Sequence, residues 1–300
     1  MSASMSGGRI VIPPKSDTDA TKLHVGVLGP VMAWRNWREL PLGPPKQKAL
    51  FTVLVMKAGM AVEREELVEA VWGSDAPRTA DSSVHKYVAA LRQTLEPGRR
   101  PRGDGSLLVS GAPSTYRLCL GDGVLDASLF ARRVEHAQQL RADGRLDRAL
   151  RALAEAQRLW RGNAVGGAPG PVPQIWRASL EEHRVTAAEL RIEILLMMGR
   201  NEDAVAELRI LVGENPLREH LSELLMAALY GCARQAEALE VFLRVRRTLR
   251  EELGVEPGSR LHRCYQQILR GELAPPDVVC AAHAGHVENV QSPSRSTADT

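Results

Sequence analysis

Residues 78–95 read RTADSSVHKYVAALRQTL, and the spacing of their apolar side chains decides the fold of the first half of the chain. Val84, Val88, Leu91 and Leu95 recur at intervals of 4, 3 and 4, which is one stripe of an α-helix. Ser82, Lys86, Ala89 and Gln93 recur at the same intervals and lie roughly opposite. A solvated helix face more usually mixes Glu and Lys, whereas this one is small, basic or amide-bearing. It is either plain surface or a face shaped to touch something.

The flanking elements narrow the choice. LHVGVLGPVMAW (23–34) is β-rich with a Gly-Pro turn at 29–30, and RELPLG (38–43) alternates like a further short strand. The period then changes. KQKALFTVLVMKAG (46–59) reads as a buried helix ending at Gly59, and EREELVEAVWG (63–73) as a second helix with acids in its first turn. The opening stretch is the third. After the loop GRRPRGDG (98–105), SLLVSGAPSTYRLCL (106–120) gives two β-rich runs separated by GAPS, a hairpin. Small sheet, three helices and hairpin is the order of a winged helix-turn-helix.

In that fold the third helix enters a major groove. One face must hold the core, and the other must admit base edges closely. Ser82 and Ala89 are small enough; Lys86 and Gln93 carry donors that suit guanine and adenine. Arg92, on the flank, is a candidate base or phosphate contact. Arg78 and Thr79 sit near the helix start, where backbone N–H groups favour a phosphate. Lys46 and Lys48 open the first helix and are candidate phosphate contacts, although a lysine pair is commonly just solvated. The tip GAPS and Arg117 form the wing. Tyr116 is read as core.

Composition sets outer bounds. At 300 residues, 44% apolar and 25% charged, the chain has material for about two domains. Net charge is only +3; residues 1–122 hold 16 basic and 12 acidic residues, and the remainder 23 and 24. A basic first part and a near-neutral second part imply two jobs. Cys119, Cys232, Cys264 and Cys280 are far apart with no CxxC, which excludes a disulfide framework and fits a reducing compartment. No signal core and no apolar run of membrane-spanning length is found, so a soluble, cytoplasmic protein is expected.

From Leu125 the pattern is helical almost to the end. RADGRLDRAL (141–150), MMGRNEDAV (197–205) and GCARQAEAL (231–239) share one turn signature. Gly199 to Ala233 is 34 residues, the tetratricopeptide period, and the Gly- and Pro-rich NAVGGAPGPVPQ (163–174) accounts for the longer first interval. The expected organisation is a disordered arm at 1–21, a winged helix at 22–122, tetratricopeptide-like helices at 123–272 and a disordered tail at 273–300.

Stretches in both halves carry a family resemblance. VLGPV (27–31), KQKALFTVLVMKAG (46–59), REELVEAVWGSDAPRTADSSVHKYVAALRQTL (64–95) and TYRLCL (115–120) resemble the OmpR-type winged helix of the Streptomyces antibiotic regulatory proteins. ENPLRE, ALY, RQAEAL and EELGVEP, in that order within 211–261, resemble their bacterial transcriptional activation domain. The resemblance covers about residues 22–272. It implies a pathway-specific activator of antibiotic biosynthesis genes that binds direct repeats in double-stranded DNA, beside a second copy of itself, and helps recruit RNA polymerase holoenzyme. It places base reading on Ser82, Lys86 and Gln93, with Arg92 as base or phosphate contact, and backbone contacts on Thr79, Ser114, Thr115 and Arg117. No cofactor, metal or membrane partner is implied.

Three positions depart from the family pattern. Ala61-Val62-Glu63 replaces a Ser or Thr cap on the second helix, a loss of about 1 kcal/mol where nothing compensates. Asp81 brings an acid close to the expected DNA face. GCAR replaces a basic, Gly-containing turn before Gln235. Competing readings remain: a protein-interaction adaptor working through the helical half, and a regulator gated by a small ligand. An enzyme ranks last, since no GxxxxGK, GxGxxG, HExxH or GxSxG is present and Glu182-His183 and Glu219-His220 read as helix surface. The absence of a nucleotide-binding motif separates the chain from larger relatives with an ATPase domain, and no receiver domain is expected ahead of the winged helix. Cys280, His283 and His286 in CAAHAGH have metal-ligand types without a fourth ligand.

Overall fold

The computed structural model describes residues 22–36, 38–97 and 106–273. The expected arm at 1–21, the loop 98–105 and the CAAHAGH segment lie outside the described residues. The chain forms two compact units, dividing between Ile194 and Leu195.

The first unit opens with β1 (His24–Gly26), β2 (Met32–Arg35) and β3 (Arg38–Glu39). β1 and β2 pair antiparallel around the Gly-Pro turn, His24 opposite Trp34. Three helices follow: α1 (Pro45–Met56), α2 (Arg64–Trp72) and α3 (Ala80–Leu95). Pro45 suits the first helical position because its missing N–H has no intrahelical partner there. α1 is central, with Ala49, Leu50, Phe51, Val53, Leu54 and Val55 all buried. Val84, Val88, Leu91 and Leu95 of α3 are at most 1% exposed, as their spacing requires. The hairpin is β5 (Leu108–Gly111) and β6 (Thr115–Leu118), and β4 (Val62–Glu63) joins it in the order β4-β6-β5.

That third strand answers the missing helix cap. Glu63 precedes α2 in extended conformation with no side-chain cap. Val62 and Glu63 pair with Tyr116 and Thr115, and the Arg64 N–H donates to the Ser114 carbonyl at 3.0 Å. Strand pairing thus satisfies one of the orphan donors at the start of α2, where a serine cap would have taken that of Glu65 or Glu66 instead.

β7 (Val124–Leu125) runs parallel to β1 on its free edge, and α4 (Asp126–Ala142) starts at once. α5 (Leu146–Gln157) packs antiparallel on α4, and α6 (Pro171–Met197) runs through the division between the units. The Gly- and Pro-rich loop is more than a spacer. Arg161 N–H donates to the Leu28 carbonyl, Val165 N–H to Val27, and Gly166 N–H to Gly29, at 2.8, 2.7 and 2.9 Å. The loop therefore lies along the β1–β2 turn. Ala164 and Val165 are fully buried, and Arg177 of α6 donates to both their carbonyls. Val165 holds φ at +54°, a strained state for a β-branched residue that this web of bonds maintains.

The second unit contains α7 (Asn201–Glu214), α8 (Glu219–Gly231), α9 (Gln235–Leu253) and α10 (Ser259–Arg270). Its family signatures have structural duties. The Glu219 carboxylate of ENPLRE accepts the Gly258 N–H at the start of α10 at 2.7 Å. Gln235 of RQAEAL donates to the Ile268 carbonyl at 2.8 Å, fastening α9 to α10. Glu256 of EELGVEP folds back to pair with Arg246 and Arg250 of α9.

The three repeated turns share one hydrogen-bond pattern. Arg145, Arg200 and Arg234 N–H groups donate to the carbonyls of Leu140, Leu195 and Leu229, five residues back, at 2.8 to 2.9 Å. Each turn passes through a left-handed residue: Gly144, Gly199 and Ala233, at φ +72°, +71° and +58°. This is the Schellman closure of a helix C-terminus, and alanine there bears a penalty of about 1–2 kcal/mol that glycine avoids. Ala233→Gly is therefore expected to stabilise the protein by about 0.5–1 kcal/mol, net of glycine's greater freedom when unfolded. Urea denaturation checks this; a destabilised variant would show that the Ala233 methyl group contributes more than its backbone strain removes.

An ion pair joins the early strands to the helical segment. Asp126, the first residue of α4, is 3% exposed. Its two oxygens accept the Val27 and Leu28 N–H groups at 2.8 and 3.1 Å and the Arg161 guanidinium at 2.8 Å. Burial pushes its carboxyl above the ordinary value; the two N–H groups and Arg161 pull the other way. Arg161 also lies over the Trp34 ring, 5.2 Å from its centre. Asp126→Asn removes the charge and leaves a buried guanidinium unpaired, an expected loss of about 3–5 kcal/mol in urea unfolding. Adding Arg161→Met should recover part of that loss, and a double variant as unstable as the sum of the singles would remove the pair from this role.

Candidate nucleic-acid interface

α3 presents three faces. The core stripe has been described. The outer stripe of Ser82, Lys86, Ala89 and Gln93 is exposed along its whole length. Between them on one flank runs a third stripe, Asp81, His85, Val88 and Arg92, again at intervals of 4, 3 and 4. Its polar members all bond to other elements. Asp81 pairs with Arg64 of α2 at 3.1 Å. His85 Nδ1 is 2.7 Å from the Tyr116 hydroxyl of β6. Arg92 donates from Nε to the Leu108 carbonyl at 3.0 Å and from Nη2 to Ser110 Oγ at 2.6 Å, both on β5. The flank is a seam that fixes α3 against α2 and the wing.

This accounts for Asp81. Its charge is met by Arg64, whose guanidinium is held above its ordinary value by the Glu65 carboxylate and then by Asp81. It also places Arg92, read from the sequence as a base or phosphate contact on the flank, in contact with the wing hairpin. Lys46 is similarly engaged. Its Nζ donates to the Val71 carbonyl at 2.8 Å, at the negative end of α2, and sits 5.4 Å from the centre of the Trp72 ring. Trp72 in turn stacks on Tyr87 of α3. Lys48 is half-buried on α1.

The remaining candidates lie at the two ends of the motif. Arg78 and Thr79 are exposed ahead of α3. The Thr79 carbonyl accepts the hydroxyls of Ser82 and Ser83, both at 2.9 Å, so Ser82 closes onto its own first turn. At the wing, Ser114 and Thr115 are half-buried and Arg117 is exposed on β6. Tyr116 is 4% exposed and belongs to the core, as read from the sequence.

Sequence reasoning missed Arg64, His85 and the seam they form. The 4-3-4 spacing of Asp81, His85, Val88 and Arg92 was visible, but nothing local says that a hairpin some 16 residues further on supplies the partners. Among the described residues no cluster of three potential metal ligands occurs, and no helix is long and apolar enough to cross a membrane.

Arg92→Ala removes two bonds from helix to wing, one to a backbone carbonyl and one to a hydroxyl. The expected loss is about 1–3 kcal/mol in thermal or urea unfolding, with the wing amides exchanging faster in hydrogen exchange. Unchanged stability and exchange would release Arg92 from the seam.

A three-helix unit whose third helix exposes small and donor side chains, braced by a β-hairpin, defines a winged-helix protein, and helices follow it in the chain. Comparison with known proteins agrees. The family described as transcriptional regulatory protein, C terminal, matches residues 38–104, and the bacterial transcriptional activator domain matches residues 125–269. Regulatory protein AfsR of Streptomyces coelicolor is 38% identical over 89% of this chain and 26% of its own length. Regulatory protein DnrI of Streptomyces peucetius is 31% identical over 83% of this chain and 93% of its own. The solved structure of Mycobacterium tuberculosis EmbR in complex with a low-affinity phosphopeptide superposes with a TM-score of 0.77 at 32% identity, covering 84% of this chain and 66% of EmbR. The chain belongs to the Streptomyces antibiotic regulatory protein family of transcriptional regulators. It spans about a quarter of the length of AfsR.

Proposed function

We propose that this protein is a sequence-specific activator of a secondary-metabolite gene cluster, working in the cytoplasm on the nucleoid. The observation that carries the reading is the outer stripe of α3. Ser82, Lys86, Ala89 and Gln93 are exposed on one face, while the seam and core stripes take over the work of holding the helix. Side chains exposed on a firmly held helix, as Lys86 and Gln93 are, are available for base edges.

In this reading Lys86 and Gln93 donate to bases, Ser82 and Ala89 let the helix approach closely, and Arg78 and Thr79 meet a phosphate at the N-terminus of α3. Ser114, Thr115 and Arg117 carry the wing's backbone contacts, and Lys48 meets phosphate from α1. Lys46 and Arg92 act through α2 and the wing, as their bonds indicate. Specific sites are direct repeats, with a second copy packed head to tail; repeats about one helical turn apart put both copies on one face of the duplex. The helical domain then engages RNA polymerase.

Selection of duplexes from a random library by the full-length protein tests this directly. The expected product is a direct repeat. Absence of enrichment together with absence of salt-dependent binding would favour an adaptor that works through its helices. Lys86→Ala is expected to lose about 1–3 kcal/mol of discrimination at one base pair of each repeat. Equal losses on selected and random duplexes would move Lys86 to the phosphate backbone.

A further inference from the structure

We propose that His85 is a further specificity-determining residue on α3, its imidazole held by Tyr116 so that Nε2 is presented to a base edge as a donor. The inference rests on the reading of α3 as a major-groove helix and adds a residue to it.

Three observations combine. First, His85 is exposed although its ring is anchored: Nδ1 is 2.7 Å from the Tyr116 hydroxyl, and the two rings meet edge to face at 73°. An exposed side chain that is also held in one orientation loses little freedom when it binds. Second, His85 follows Ser82 by three residues and precedes Ala89 by four, so it borders the outer stripe one helical turn from each. Asp81 and Arg92, the other polar members of its flank, have their charges engaged by Arg64 and the wing.

Third, the pairing selects a tautomer. Tyr116 is buried, and burial holds its phenol above the ordinary value, so it keeps its proton. A buried phenol O–H needs an acceptor, and Nδ1 of a neutral imidazole is one. With Nδ1 accepting, the ring proton sits on Nε2, on the opposite edge from Tyr116. The group offered outward is then an N–H donor, which suits guanine O6 or N7, adenine N7, or thymine O4. Cytosine, which presents an amino donor in the major groove, is disfavoured opposite it.

The test is random-library selection with four full-length proteins: wild type, His85→Ala, His85→Gln and Tyr116→Phe. The wild type should enrich a motif, and His85→Ala should lose the preference at one base pair, by roughly fivefold or more in relative affinity, with the other positions intact. Tyr116→Phe keeps the ring in the core and removes the hydroxyl, so it should weaken preference at that same base pair. His85→Gln, which retains a donor, should recover part of it. The slope of affinity against salt should not change in His85→Ala, because a donor to a base edge takes the place of no counterion on a phosphate. A wild-type motif retained unchanged by His85→Ala overturns the assignment and leaves the major-groove reading of α3 standing. A uniform loss across duplexes with a slope reduced by about one would place His85 on a phosphate and also overturn it. No motif from the wild type would overturn both.

Discussion

The carboxylate of Asp126 is where the early strands and the first helices of the activator segment are joined within one compact unit. It stands at the first position of α4, yet its acceptor capacity goes to backbone N–H groups of Val27 and Leu28 and to the guanidinium of Arg161. Without an acceptor those two amides would be buried orphans, and without the carboxylate Arg161 would be a buried charge. Around this ion lie the parallel β1–β7 pair and the loop 158–168, whose backbone bonds continue along the β1–β2 turn. The winged helix and the first helices of the activator domain therefore form one compact unit. The division between units falls inside α6, well past the boundary between the two matched family segments.

Much of this architecture was legible in the sequence, for a local reason. The 4-3-4 stripe of Val84, Val88, Leu91 and Leu95 needs only the helical period to be read, and all four are buried. The three turn signatures were equally plain, because each must close a helix through a left-handed residue, and two of the three use glycine. What could not be read is what depends on distance in the chain. Val124–Leu125 is two residues long and has no period of its own; it becomes a strand only because β1 has a free edge. The Gly- and Pro-rich loop looked like a spacer, since its composition carries no mark of the backbone bonds it makes to residues more than 130 positions earlier.

The candidate site divides along the same line. Ser82, Lys86 and Gln93 were placed on an exposed face by spacing alone, and exposed they are. Arg92 and Lys46 were ambiguous for a physical reason. An arginine on a helix flank reaches outward to a phosphate or inward to a carbonyl according to what the tertiary fold sets beside it. Here β5 supplies two acceptors and the C-terminal end of α2 supplies another. Composition fixes the donor; topology decides where it goes.

The seam also bears on how, in the proposed reading, an acidic residue can stand at the start of a helix that approaches DNA. An isolated carboxylate there would face the phosphates at close range, where like charges repel by about 1 kcal/mol even in water. Asp81 instead forms a pair with Arg64, which it shares with Glu65, so its charge is partly offset. The same carboxylate lies at the positive end of α3, which favours it independently of Arg64. Removing Arg64 would therefore do two things at once: leave Asp81 without its counter-charge and loosen the hold of α2 on α3. Because Arg64 also gives its backbone N–H to the Ser114 carbonyl at the wing, the residue that offsets Asp81 is built into the strand junction that positions the hairpin. Charge compensation and wing placement are thus properties of one residue.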